Sequence, residues 1–552
     1  MVTDPLLSRC FPDYVVGAID YRGRPASRSA SGRWTSALFI IAVEIAERFA
    51  FYGVSSNLIS YLTGPLGEST ASAAAAINAW NGVAAMLPLL GAFLADSYLG
   101  RYRTIVIASL LYMLSLAMLT LSSLLPSLHL AKCGDTTVDP AGCPPSPSSV
   151  ALFYASLYLM AFAQGGHKPC VQAFGADQFD ENHPGECAAK SSFFNWWYLG
   201  FSCGVLVAVV VLSYVQDYIS WGLGFGIPCV AMLLALLVFL LGTNTYRFYP
   251  LEENSPFACM RRTVHLATEE DRGGLDSIYD SSSLTKEDDE FVCRDVGCGE
   301  GSEGLLRLLP TWATCLTYAM VFGQSSTLFT KQGSTLDRRI GFIYLNLEVP
   351  PAALQVFISV SIVGFIPVYD RILVPVARKF TKLPSGITTL QRIGAGLVLS
   401  LASMVAAALV EMKRLRTARE FGLVNQPEAV IPMSFWWLAP QYVLSGVADV
   451  FAMVGLQEFC YDQVPDALRS LGLALYLSIF GIGSFISGFL VSVIDKASRK
   501  KTGESWFSDN LNRAHLDYFY WLLAGLSTLG LLLYLHFAQA YVYKKKGRNA
   551  SM

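Results

Sequence analysis

Apolar runs of about twenty residues recur along the whole chain, separated by short polar stretches, and each is long enough to cross a hydrocarbon core of about 30 Å as a helix. Twelve such spans are expected, at 34–62, 73–94, 104–126, 150–171, 192–214, 219–243, 309–330, 351–369, 387–411, 434–457, 471–495 and 517–541. One long polar insert interrupts them. Residues 244–306 include "EEDRGGLDSIYDSSSLTKEDDE", charged, Ser-rich and poor in apolar residues, which reads as a partly disordered linker. The pattern predicts an all-α membrane protein: a cytoplasmic tail at 1–33, a six-helix bundle at 34–243, the linker, a second six-helix bundle at 307–541 and a short tail at 542–552. The placement of Lys and Arg puts the N-terminus and the linker on the cytoplasmic side. That bias is strong in the first half and nearly absent in the second, whose orientation follows from counting spans.

Composition agrees with this picture. The 552 residues are 53% hydrophobic and 15% charged, against about 25% charged in an ordinary soluble domain. A net charge of −2 leaves no basic face for nucleic acid, so none is expected as a partner. The polar start, with Arg9, Arg22, Arg24, Arg28 and Arg33, lacks the short apolar core and cleavage site of a secretory signal, so the first span is expected to serve as its own uncleaved signal. Most of the 12 cysteines, Cys170, Cys203, Cys229 and Cys315 among them, stand singly in apolar runs and read as small core residues. Cys133 and Cys143 are a candidate disulfide in a Pro/Ser-rich non-cytoplasmic loop. Cys293 and Cys298 have no histidines nearby, so no metal site is expected.

The chemistry lies where charge interrupts the apolar pattern. "VEIAERFAFYG", residues 43–53, sets Glu44, Glu47 and Arg48 on one helix face inside the first span. Glu44 and Arg48 pair at i,i+4 and leave one carboxylate in excess. A charge at the bilayer centre costs roughly 2.5–3.5 kcal/mol and usually faces an interior pathway; a spare carboxylate there can take and release a proton. The fourth span ends "QGGHKPCVQAFGADQFD", with Lys168 just before Pro169. Its candidate partner in the opposite half is Asp449, with Glu458 as the rival, and a Lys–Asp bridge between halves would be a breakable gate. His167 reads as a hydrogen-bonded helix-end histidine. Gly91, Asp96, Gly100 and Arg101 read as a tight conformational loop between the second and third spans, echoed after the eighth span by "PVYDRILVPVARKFT". That echo suggests a duplicated transporter with its site between the halves. No P-loop, nucleophile elbow or metal-spaced His pair occurs, and the chain has only six histidines, so no enzyme is expected.

"EIAERFAFYG", "GAFLADSYLGRY", "GGHKPCVQAFGADQF", "SFFNWWYLG", "GLQEFCYDQVPDALRSLG" and the lead-in "DYRGRPA" together resemble the plant nitrate/peptide transporter family, the plant members of the proton-coupled oligopeptide transporters within the major facilitator superfamily. The resemblance implies twelve helices with the major facilitator fold, alternating access and proton-driven uptake, with protons as coupling ion and no other cofactor. It implies that Glu44, Glu47 and Arg48 occupy the proton-coupling motif, Lys168 the fourth-span lysine, and Asp449 the position of a tenth-span glutamate, one methylene shorter here. Where nitrate-transporting relatives carry a seventh-span histidine, this chain has Phe322; where peptide-transporting relatives carry a fifth-span asparagine, it has Ser202. Tyr52, Asn57, Tyr198, Ser202, Phe322, Gln324 and Ser326 are the candidate substrate pocket, and Phe322 hints at a larger organic solute. The function expected is symport of a small nitrogenous or organic solute such as nitrate, a di- or tripeptide or a plant metabolite or hormone; the alternative is a non-concentrating facilitator or a solute-sensing receptor of the same fold. The partners expected are that small-molecule substrate and the lipid bilayer, at the plasma or the vacuolar membrane. Solute identity and oligomeric state are not assigned.

Overall fold

The computed structural model describes residues 14–129, 146–180, 183–249, 298–342, 345–381, 387–463 and 469–541. Helices stand at all twelve expected places. Ten among the described residues are long and apolar enough to cross a membrane. The other two are the first, Arg33–Ser55, whose apolar stretch carries three ionisable side chains, and the seventh, Cys298–Phe322. Most of the linker and the candidate disulfide of Cys133 and Cys143 lie outside the described residues.

The chain forms two compact units. Met1–Ala73, Val83–Glu253 and Arg338–Val356 make the first, and Ala74–Gly82, Asn254–Asp337 and Phe357–Met552 the second. In the first unit, strands β1 (Tyr14–Ile19) and β2 (Pro25–Ser27) pair antiparallel. The helices are α1 (Arg33–Ser55), α2 (Leu58–Thr63), α3 (Thr70–Leu94, of which Ala74–Gly82 belongs to the second unit), α4 (Arg101–His129), α5 (Pro147–Ala176), α6 (Pro184–Val207), α7 (Ser213–Tyr218) and α8 (Trp221–Leu241). The first expected span is not continuous: it breaks at Ser56 and Asn57 between α1 and α2. The Asn57 amide donates to Gln216 Oε1 at 3.2 Å and to Asp217 Oδ1 at 2.8 Å, bonds to another segment that favour the break over one more helical turn. The start of α5 has a local cause: Ser146 Oγ accepts from the Ser149 amide and Pro147 occupies the first turn, where its missing N–H costs nothing.

Helix α1 packs against α5, α6 and α8, and α4 against α5 and α8. Ile40, Val43, Phe174, Phe193 and Phe239 form the core between them. The N-terminal hairpin is tied to this bundle. Ile19 bridges Phe248, and buried Glu186 accepts from Arg247 Nη1 at 2.7 Å, Arg33 Nε at 3.1 Å and Arg28 Nη1 at 3.2 Å. Three guanidiniums on one carboxylate keep each buried charge paired.

The second unit contains α9 (Cys298–Phe322), α10 (Leu328–Ser334), α11 (Val356–Val368), α12 (Val374–Thr381), α13 (Thr389–Glu420), α14 (Ala439–Asp462), α15 (Arg469–Thr502) and α16 (Leu516–Ala540). Helix α13 starts at a capping box formed by Thr388 and Gln391. Its 32 residues extend about 48 Å at 1.5 Å per residue, well past the apolar thickness. It packs on α14 and α16, while α9 packs on α15 and α16 around Tyr318, Ile393, Leu456 and Ile479.

Candidate functional site

The three ionisable groups of α1 meet as their spacing requires. Glu44, Glu47 and Arg48 are 1%, 0% and 4% exposed. Arg48 Nε donates to Glu44 Oε1 at 2.7 Å and lies 3.2 Å from Glu47 Oε2. One N–H cannot serve both acceptors fully, and the shorter distance goes to Glu44. Glu47 receives the Tyr112 hydroxyl at 3.4 Å from α4. Arg48 also lies over the Phe201 ring of α6, 5.0 Å from its centroid, an arrangement that stabilises a desolvated guanidinium. Two carboxylates share one guanidinium in an apolar environment, so Glu44, Glu47 and Arg48 by themselves carry one negative charge in excess unless a proton occupies them, and Lys168 lies close enough to interact with all three.

His167 departs from expectation. It lies within α5 rather than at a helix end, it is fully buried, and neither ring nitrogen has a hydrogen-bond partner among the described residues. Glu44, Glu47 and His167 each place one ligand atom within 4.8 Å of the others. That spacing suits a divalent ion, but Arg48 already supplies the cation to both carboxylates. Lys168, the next residue, is half-buried in the first unit.

Asp449 stands in α14 of the second unit, buried, and accepts from the Tyr318 hydroxyl of α9 at 2.5 Å. Asp449, Tyr318, Phe322, Ser325, Ser400 and Ser445 face a cavity of about 10 Å³, room for about one water. The rival Glu458 is exposed and sits 3.6 Å from Arg392, so it already has a cation beside it.

The expected conformational loop is partly corrected. Gly100, at φ +76°, ends the second span in a backbone conformation that favours glycine. Arg101 reaches Asp96 at 3.4 Å and Asp177 at 2.6 Å. Gly91 is not in a turn: it lies inside α3, where a Cβ would strike the backbone of Gly165 on α5. Its smallness serves close helix approach, the use that membrane helices make of small residues.

The candidate pocket residues divide between the units. In the first, Tyr52 packs edge-on to Phe201 at 6.3 Å, Asn57 is held by Gln216 and Asp217, and Ser202 is half-buried. The side chain of Tyr198 lies outside the described residues. In the second, Gln324 donates to Met320 O at 2.8 Å and Ser487 Oγ at 3.1 Å, the Phe322 ring lies 5.4 Å from Phe480, and Ser326 is half-buried.

Residues 102–507 match PTR2, the POT family. The chain belongs to the POT family. Of its Arabidopsis thaliana relatives, Protein NRT1/PTR FAMILY 5.10 is 57% identical over 545 residues, with 96% of each chain covered. Protein NRT1/PTR FAMILY 5.13 is 52% identical over 564 residues, with 97% of each covered. The crystal structure of an auto-inhibited POT family peptide transporter superposes with a TM-score of 0.70 at 21% identity, covering 94% of this chain and 99% of that one. This POT family protein is accordingly a multi-pass membrane transporter with the fold of that family. Two of its buried groups, Tyr112 and Tyr318, carry no signal in the sequence that marks them as part of a site. Each lies in a helix that the pattern located, but their partners, Glu47 and Asp449, lie 65 and 131 residues away.

Proposed function

We propose that this transporter is a proton-coupled symporter that carries a small nitrogenous or organic solute by alternating access. The observation that supports it is the Glu44–Arg48–Glu47 cluster: two fully buried carboxylates on one guanidinium. A fixed structural knot would be neutral with one of each. The second carboxylate lets the site alternate between a neutral, protonated state and a charged one, and so changes the cost of desolvating the helix face that carries it. Lys168 and Asp449 supply the further charges through which protonation would release one arrangement and favour the other. Asp449 accepts a hydrogen bond from the Tyr318 hydroxyl.

The substrate class follows from less. Phe322 in place of a cationic ligand disfavours a bare small anion and favours an organic solute. Peptide is the class named for the solved relative and stands beside nitrate, plant hormones and glucosides as one to be assayed.

The test is a substrate panel of these four classes, followed as inward current at acidic external pH in cells expressing the full chain. With the active substrate in hand, Glu47→Gln is expected to abolish concentrative uptake and its pH dependence while leaving counterflow exchange of substrate intact. Glu47→Gln that still concentrates substrate with an unchanged pH optimum rejects the assigned role. Substrate movement without any proton current in the wild type supports the facilitator instead.

A further inference from the structure

The cluster contains a second proton acceptor that the coupling motif does not include. His167 is fully buried in α5, and both its nitrogens lack a hydrogen-bond partner among the described residues. A neutral imidazole has one N–H to donate and one lone pair to fill, so leaving both unused in an apolar interior costs about 1–3 kcal/mol for each group. Carboxylate oxygens stand close by without being hydrogen-bonded to it: one ring nitrogen of His167 is within 4.8 Å of a carboxylate oxygen of Glu44 and of Glu47, and Glu44 Oε2 has no hydrogen-bond partner among the described residues. The other ionisable groups around it are Arg48 of α1, Tyr112 of α4, whose ring centroid is 6.4 Å away, and Lys168 of its own helix.

We propose that His167 is a proton-holding group of the coupling site, so that the transported proton is shared between its imidazole and the Glu44/Glu47 carboxylates. The proposal rests on the symport reading and deepens it. When a proton enters, the ring nitrogen that lies near the carboxylates carries an N–H toward them, and the group of two anions, one guanidinium and one imidazolium becomes neutral. When the proton leaves, the ring returns to one N–H and the excess negative charge is restored. The step is a proton transfer between nitrogen and oxygen; no other bond changes. Arg48 fixes where the carboxylates sit, and Tyr112 keeps a donor on Glu47 in both states.

The experiment needs no substrate. The purified full-length protein is reconstituted in liposomes, adsorbed to a solid-supported membrane, and given pH jumps from about pH 8 down to about pH 5, bracketing the range in which histidine titrates. Wild type is expected to show a transient charge displacement with a defined pH midpoint. Glu47→Gln should lose it. His167→Gln and His167→Asn, which keep a polar side chain but hold no proton, should move the midpoint about one unit to lower pH, a tenfold weaker proton affinity. His536→Gln, at an exposed histidine of α16, should not. Both His167 variants at the wild-type midpoint and amplitude, with Glu47→Gln silent, overturn the proposal and leave symport standing. A wild type without displacement overturns symport and the proposal together. If neither His167 variant is monodisperse, the infrared difference spectrum of wild type labelled on its histidine rings decides. An imidazole band that changes on the jump and vanishes in Glu47→Gln supports the proposal; no such band overturns it.

Discussion

A buried ion pair far in sequence from the coupling cluster allows the energetics of this fold to be tested directly. Glu411 and Arg414, in the C-terminal part of α13, are both 0% exposed. The guanidinium grips the carboxylate at two points, Nη2 to Oε1 at 2.6 Å and Nε to Oε2 at 2.8 Å. Arg414 also donates to Leu511 O at 2.6 Å and Asn512 Oδ1 at 3.0 Å, and Glu411 accepts from Gln332 Nε2 at 2.8 Å. The pair thereby ties α13 to α10 and to the segment before α16. Glu411→Gln keeps the shape and one acceptor but leaves a desolvated cation, for which a loss of about 3–5 kcal/mol is expected. Replacing both, as Glu411→Leu with Arg414→Met, removes the stranded charge. It still strips Gln332, the Leu511 carbonyl and Asn512 of a partner each, at about 1 kcal/mol apiece. The double variant should therefore lie about 3 kcal/mol below wild type and no lower than Glu411→Gln. Denaturant titration of the purified protein in mixed micelles, followed by tryptophan fluorescence, measures both. Glu411→Gln within about 1 kcal/mol of wild type, or a double variant weaker than the single, would refute the reasoning that an unpaired charge, rather than lost contacts, sets the cost.

Two further outcomes follow from the first unit. Gly91→Leu should lower the yield of monodisperse protein and its thermal midpoint sharply, because any Cβ at Gly91 meets the backbone of Gly165, which cannot swing aside as a side chain does; gel filtration and a thermal scan in detergent are the check. Asp177, just past the end of α5, has its carboxyl raised above the ordinary range by burial, against the opposing pull of Arg101. An acid raised in the folded state favours folding while protonated, and that contribution is lost as pH rises through the folded value. Asp177→Asn should therefore match wild type near pH 3 to 4 and gain thermal stability relative to it as pH rises toward neutrality; a relative loss at neutral pH would show that the Arg101 contact dominates.

What could be read from the sequence depended on how far apart the deciding atoms lie along the chain. Glu44, Glu47 and Arg48 form their cluster within one turn of one helix, so 3.6-residue geometry was enough to bring them together. His167 belongs to the same cluster, but only because α5 packs beside α1. Nothing in "GGHKPC" distinguishes a ring that bonds its own helix end from one aimed at another helix. Gly91 and Gly100 show the same limit within one motif. Both are glycines beside Asp96, yet one is needed for a left-handed backbone and the other for a helix contact 74 residues away at Gly165; the first need is local, the second tertiary. In the sequence Arg28 and Arg33 belong to a polar tail, because the carboxylate that gathers them, Glu186, lies over 150 residues on. Glu411 and Arg414 stand where the apolar run of the ninth span stops, whereas α13 continues for further turns through a polar stretch that keeps one face buried, with Arg414, Leu415 and Ala418 inside. For Arg28 and Arg33 the charge is visible in the sequence and its counterion is not. Locating spans is a problem of solvent, solved residue by residue by the bilayer; pairing the charges inside them is a problem of packing, and in this transporter the function depends on the pairing.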